Sequence, residues 1–169
     1  MIFMSQSGLT DRAREAAWDE WYVGHLRIMA GVPGVSSAQR FKTVTSGFPP
    51  SLAMYSFASA DIFIDPYYLS IRGMGEWQAL VDRQYYKRNL FDGLGRAPLV
   101  ADGQCLLLAD RDQPGGRVAG LELTWLKCVG IDRSTPYRGI AVVAAAPPSV
   151  PNDVAVYRPV TPRIAGTAR

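Results

Sequence analysis

The chain has 169 residues, of which 48% are hydrophobic, 11% aromatic and 20% charged. That is enough apolar material for the core of one domain, and it excludes a disordered or low-complexity chain. The formal charge of +3 comes entirely from Arg158, Arg163 and Arg169, because residues 1–157 hold fifteen basic and fifteen acidic side chains; this excludes a broad basic face for nucleic acid.

Ile2-Phe3-Met4 reads as a short first strand. The N-terminal segment lacks the basic and long apolar parts of a secretory signal, so a cytoplasmic location is expected. Thr10 or Asp11 then caps a helix in which Trp18, Trp21, Tyr22, His25 and Met29 recur at three- and four-residue steps. Gly31 and Pro33-Gly34 stop it. Val35–Val44 and Leu52–Phe57 read as an antiparallel strand pair joined by Ser46–Pro50. Asp61–Gly95 is mixed, and its best helical piece is Glu76–Leu90, with Trp77, Leu80, Val81 and Tyr85 roughly on one side. Gln104–Ala109 is a short apolar strand, which completes the order β-α-β-β-α-β of a ferredoxin-like unit over residues 1–110.

After a break at Asp110–Gly116, Leu121–Val129, Gly139–Ala146 and Asp153–Tyr157 are strand-like. They predict a β-rich extension of the same domain over residues 117–160, followed by a flexible tail over 161–169. The longest apolar run, Ile140–Ala146, is far below the roughly 18–20 residues of a membrane span, so no membrane partner is expected. Cys105 and Cys128 are too few for a disulfide framework, lack metal-ligand spacing, and read as reduced core residues.

Glu20-Trp21-Tyr22-Val23-Gly24-His25-Leu26, then Val32-Pro33-Gly34-Val35 and Arg40-Phe41, resemble the dimeric α+β barrel superfamily, in particular its EthD-like members. Leu52–Phe57 and Asp65-Pro66-Tyr67-Tyr68 fit the same layout. The resemblance implies two ferredoxin-like units whose antiparallel sheets pack into a barrel, usually across a homodimer, and it admits haem on His25. It covers about residues 1–110; the extension after Gly116 departs from it. A homodimer is also expected on physical grounds, since a sheet with helices on one face leaves its other face bare.

His25 is the only histidine. An imidazole titrates near neutral pH and is the default general acid or base; Trp21 and Tyr22, four and three residues before it, would flank it. The alternative is a structural histidine that bonds a carbonyl at the helix end. Arg40 would pair with an anionic substrate group or orient an oxyanion. Asp65, Tyr67, Tyr68, Trp77, Tyr85 and Tyr86 form a second aromatic-rich region suited to a flat apolar ligand or to core packing. Tyr68 and Tyr85 stand out there as hydroxyl donors. There is no phosphate-binding loop, no nucleophile elbow and no dinucleotide fingerprint, and no zinc-type ligand set, so no cofactor or metal is expected.

Two functions fit. One is a small cofactor-independent enzyme, a lyase, dehydratase or isomerase, moving a proton on a small apolar or aromatic molecule. His25, Arg40 and Tyr68 would be its catalytic residues, and Trp21, Tyr22, Asp65, Trp77 and Tyr85 would bind the substrate; a cofactor-free oxygenase fits less well. The other is a non-catalytic dimeric ligand-binding or accessory protein in which His25 is structural. A ligand-sized cavity containing the imidazole favours the first, a filled barrel the second.

Overall fold

A computed structural model describes residues 1–118 and 120–166. Strand β1, Ile2–Ser7, is buried along its whole length, because it is covered on both faces. After it the Asp11 carboxylate accepts from the Ala13 N–H (3.0 Å), and a 3-10 turn at Arg12–Arg14 runs into helix α1, Glu15–Ala30. Trp18, Tyr22, Leu26 and Met29 form its buried stripe. The helix ends at Gly31, and Gly34 turns the chain into β2 at φ +87°, a left-handed backbone natural to glycine.

Strands β2 (Val35–Thr43) and β3 (Ser51–Phe57) form the expected antiparallel pair, with Phe41 opposite Leu52. A short helix α2, Pro66–Ile71, follows, and then β4 (Lys87–Asp92) and β5 (Cys105–Arg111). A two-strand hairpin, β6 (Arg117–Val118) and β7 (Leu121–Glu122), precedes β8 (Thr124–Ile131), β9 (Tyr137–Val143) and β10 (Val154–Pro159). The short β11, Ile164–Ala165, is the last strand among the described residues.

Eight of these strands close on themselves in the order β4-β1-β3-β2-β10-β5-β9-β8, and β8 pairs back onto β4. Every pairing is antiparallel. Side chains alternate between two environments, as the two-residue strand repeat requires. Ile2, Met4, Phe41, Leu52, Phe91 and Leu106 meet inside the barrel with residues of β8, β9 and β10. Phe3, Tyr55, Phe57 and Leu90 point outward beneath α1, where they pack with Trp18, Tyr22 and Trp77. On the opposite side Leu107, Ala109, Val154 and Val156 are covered by the β6–β7 hairpin and the loop after β9.

This architecture corrects the expected ferredoxin-like α+β unit and its dimeric α+β barrel. The barrel is completed within one chain, by β5, β8, β9 and β10, so residues 117–160 supply three of its eight strands and are no appendage to a finished unit. The bare sheet face that asked for a second subunit becomes the barrel's interior. The helix expected over Glu76–Leu90 does not form: a 3-10 turn covers Gly75–Leu80, and β4 takes Lys87–Asp92. Trp77 and Val81 are buried there from a turn, so two well-spaced apolar residues imitated a helical stripe.

The tail expected over 161–169 is docked as far as Gly166, and Thr167–Arg169 lie outside the described residues. Thr161 Oγ1 accepts from the Arg40 N–H, β11 pairs with Ser37 and Ala38, and the Gly166 N–H reaches the Ser36 carbonyl. Cys105 and Cys128 are both free thiols, and no described helix is long and apolar enough to cross a membrane.

Candidate functional site

The barrel's axis is occupied by side chains. Arg138, fully buried, donates through Nε and Nη2 to both oxygens of Asp110 (2.7 and 2.8 Å) and through Nη2 to Gln6 Oε1 (2.9 Å). Gln6 Nε2 donates to the Tyr157 hydroxyl, which donates in turn to the Pro49 carbonyl. Elsewhere in the interior the Ala97 N–H bonds Ser56, and Gln39 bonds the Val100 carbonyl, which ties the loop between β4 and β5 to the wall.

His25 lies outside the barrel, on α1. Its ring stacks on Trp21 (4.9 Å between centroids, 11° between planes) and meets Tyr22 edge-on at 5.8 Å. Helical spacing produces both contacts, as the sequence pattern implied. The imidazole borders a cleft of about 330 Å³ between α1 and the segment 68–88, over the outer faces of β1, β3 and β4. Phe3 and Tyr55 form its floor, Tyr22 and Met29 line the α1 side, and Tyr68 and Tyr86 line the other. The helix-end bond expected of a structural histidine is absent: no protein hydrogen bond holds the imidazole among the described residues. Burial lowers its pKa from 6.5 to about 4, so the ring is neutral at physiological pH.

The four phenols of the cleft are held protonated. Burial raises Tyr22, against the nearby Arg40 cation, and raises Tyr55 well above its ordinary range, helped by Tyr22 and Tyr68. Tyr68 and Tyr86 are raised by burial against the pull of Arg88. The cleft therefore offers hydroxyls, including that of Ser5, the Gln78 amide and one neutral imidazole, with Arg72 and Arg88 at its edge and no carboxylate among its described lining.

His25, Tyr22 and Tyr68 are the anticipated residues that meet in this cleft. Trp21 backs the imidazole. Arg40 does not reach the cleft: it is buried to 1% exposure, with its guanidinium over the rings of Tyr22 (4.3 Å) and Trp18 (4.8 Å), Nε donating to Ser51 and Nη2 2.8 Å from Asp19. The Asp19 contact is an ion pair without aligned hydrogen-bond geometry. Asp65 is spent as the cap of α2, accepting from the Tyr68 N–H. Trp77 is core, beneath Arg14. Tyr85 faces other surface hollows, with Gly47 and Phe48.

Sequence reasoning named Tyr86 within the aromatic region but preferred its neighbour, and it missed Tyr55, Arg72 and Arg88. The missing signal was the register of β4: Arg88 and Leu90 share the outward face, and Tyr86 precedes them at the same two-residue step. Among the described residues no group of three or more His, Cys, Asp or Glu side chains is placed to hold a metal ion.

No family model, curated protein or solved structure matches the chain, so the likeness to EthD-like proteins rests on the sequence motif alone.

Proposed function

We propose that this chain binds a compact, flat organic molecule in the cleft beside His25, without a cofactor. The observation that carries this reading is the convergence of one neutral imidazole and four protonated phenols on a cavity of about 330 Å³ with an aromatic floor. Convergent polar groups of this kind fix the orientation of a ligand in small-molecule sites, and the aromatic floor supplies the apolar contact. The volume is at the lower end of the roughly 300–1,000 Å³ typical of small-molecule pockets, which suits a compact ligand.

The low basicity of His25 supports binding over catalysis. A conjugate acid near pH 4 is well below the near-neutral value at which a general base works best. Proton transfer by His25 is the second reading, supported by the imidazole's freedom from any protein hydrogen bond among the described residues.

Because the chain has a single histidine, its imidazole proton resonance reports this cleft alone. A panel of single-ring aromatics at millimolar concentration is expected to shift that resonance with at least one member, and the shift should be lost in Tyr68→Ala. A panel that leaves it unmoved would overturn the binding reading. Deuterium exchange into a bound compound, absent in His25→Ala, would replace it with the catalytic one.

A further inference from the structure

The charges around the cleft are unequal in a way that specifies its ligand. Arg88 lines one edge, but Asp132 neutralises it: the carboxylate takes Nη2 at 3.0 Å and Nε at 3.4 Å and also accepts from the Arg88 backbone N–H. Arg88 also lies over the Tyr86 ring at 5.2 Å. Arg72 lines the same cleft from the end of α2, is exposed, and has no carboxylate within ion-pair distance among the described residues. The lining holds no Asp or Glu, and its imidazole is neutral. One uncompensated positive charge therefore borders a pocket whose remaining polar groups are predominantly hydroxyls.

The hydroxyls, the Gln78 amide and the neutral imidazole can accept as well as donate, so it is the guanidinium of Arg72, a donor only, that distinguishes an anion from a neutral amide. An anionic oxygen accepts from all of these groups, and hydrogen bonds from hydroxyl or guanidinium groups to an ionised acceptor are the strong kind. Phe3, Tyr22 and Tyr55 line the same cleft and supply its aromatic surface.

We propose that the cleft selects an aromatic monocarboxylate, with its ring on the Phe3–Tyr55 floor and its carboxylate towards Arg72 and the hydroxyl of Tyr68. Arg72 is the specificity-determining residue. This inference rests on the binding reading above and adds the charge of the ligand to it.

Benzoate and benzamide are matched in size and differ in charge, so the pair tests the inference. Binding is read from the His25 resonance in the full chain and in Arg72→Gln, whose exposed position keeps the fold out of question; thermal unfolding checks this. Benzoate is expected to bind the parent protein at least tenfold tighter than benzamide. In Arg72→Gln the ratio should fall below threefold, and added salt should weaken benzoate selectively. Equal binding of the two compounds, or tighter benzamide, overturns anion selection while leaving the cleft as a binding site. A preference for benzoate that survives in Arg72→Gln overturns the assignment to Arg72. If neither compound moves the His25 resonance, this inference fails, and the binding reading fails with it if the wider aromatic panel is also silent.

Discussion

The guanidinium of Arg40 lies 4.3 Å from the centre of the Tyr22 ring, so a buried cation props a wall of the cleft that it does not touch. Its charge is answered by Asp19, which also holds Lys42, and Lys42 in turn reaches Glu15. Asp19→Asn is expected to destabilise the protein by about 2–3 kcal/mol. That is below the roughly 3–5 typical of a broken buried pair, because Asp19 itself is about one-third exposed and water can partly replace it. Ligand affinity per folded molecule should change less than threefold. Urea unfolding of the two proteins measures the first quantity, and an unchanged midpoint would remove the structural role given to Arg40.

The depressed pKa of His25 makes stability depend on pH. Between pH 6.5 and about 4 the unfolded chain binds a proton at this residue that the folded chain refuses. This contribution is absent above pH 6.5, grows as the pH falls, and levels off below pH 4 at a loss of about 3 kcal/mol. His25→Gln should flatten that part of the stability curve relative to the parent. Parallel slopes for the two proteins between pH 7 and pH 4 would show that the imidazole titrates as it does in water.

In the barrel interior, Asp110→Ala leaves the fully buried Arg138 without its carboxylate. A loss of about 2–3 kcal/mol is expected, discounted because Asp110 is partly exposed, whereas Asp110→Leu combined with Arg138→Met should lose less than that single change. A double-mutant cycle with purely additive costs would mean that the two side chains do not depend on each other.

At the C-terminal end, a Cβ on Gly166 would lie 1.8 Å from the Val35 carbonyl oxygen. Gly166→Ala must therefore lift β11 from β2. Amide exchange at Ile164 and Ala165 should accelerate strongly, with a stability loss of about 1–2 kcal/mol. Removal of residues 161–169 should cost more, since Thr161 also accepts from the Arg40 N–H and, through its carbonyl, from Gln39. Unchanged exchange at these amides in Gly166→Ala would contradict the docking of β11.

What the sequence made legible was local. The Asp11 cap, the Trp18–Met29 stripe and the Gly31 stop are each set within a few residues, and α1 formed where they pointed. The β2–β3 pair was likewise marked by the intervening loop. Closure was hidden because β5 and β10 are covered on both faces: Leu106, Leu107 and Leu108 are all buried, so no polar alternation betrays which side faces the axis. In the cleft, His25, Tyr22 and Tyr68 followed from helix spacing and a capped turn. Tyr55 and Arg88 come from separate strands, β3 and β4, that meet beneath α1 only because both pair with β1.

The closure of β2 onto β10 also fixes a timetable for the growing chain. After Asp92 emerges, 67 residues remain to be synthesised before Pro159 appears, which takes about 3–13 s at roughly 5–20 residues per second. For that interval the first four strands carry two unpaired margins, β2 and β4, to which a neighbouring nascent chain could add a strand. Those margins bear Arg40 and Lys42 on one side and Lys87 and Arg88 on the other. Arg40 and Lys42 already face Asp19 and Glu15 of α1 at that stage, whereas Asp132, the partner of Arg88, is still to come, so it is the β4 margin that keeps uncompensated cations to repel a second copy of the same edge.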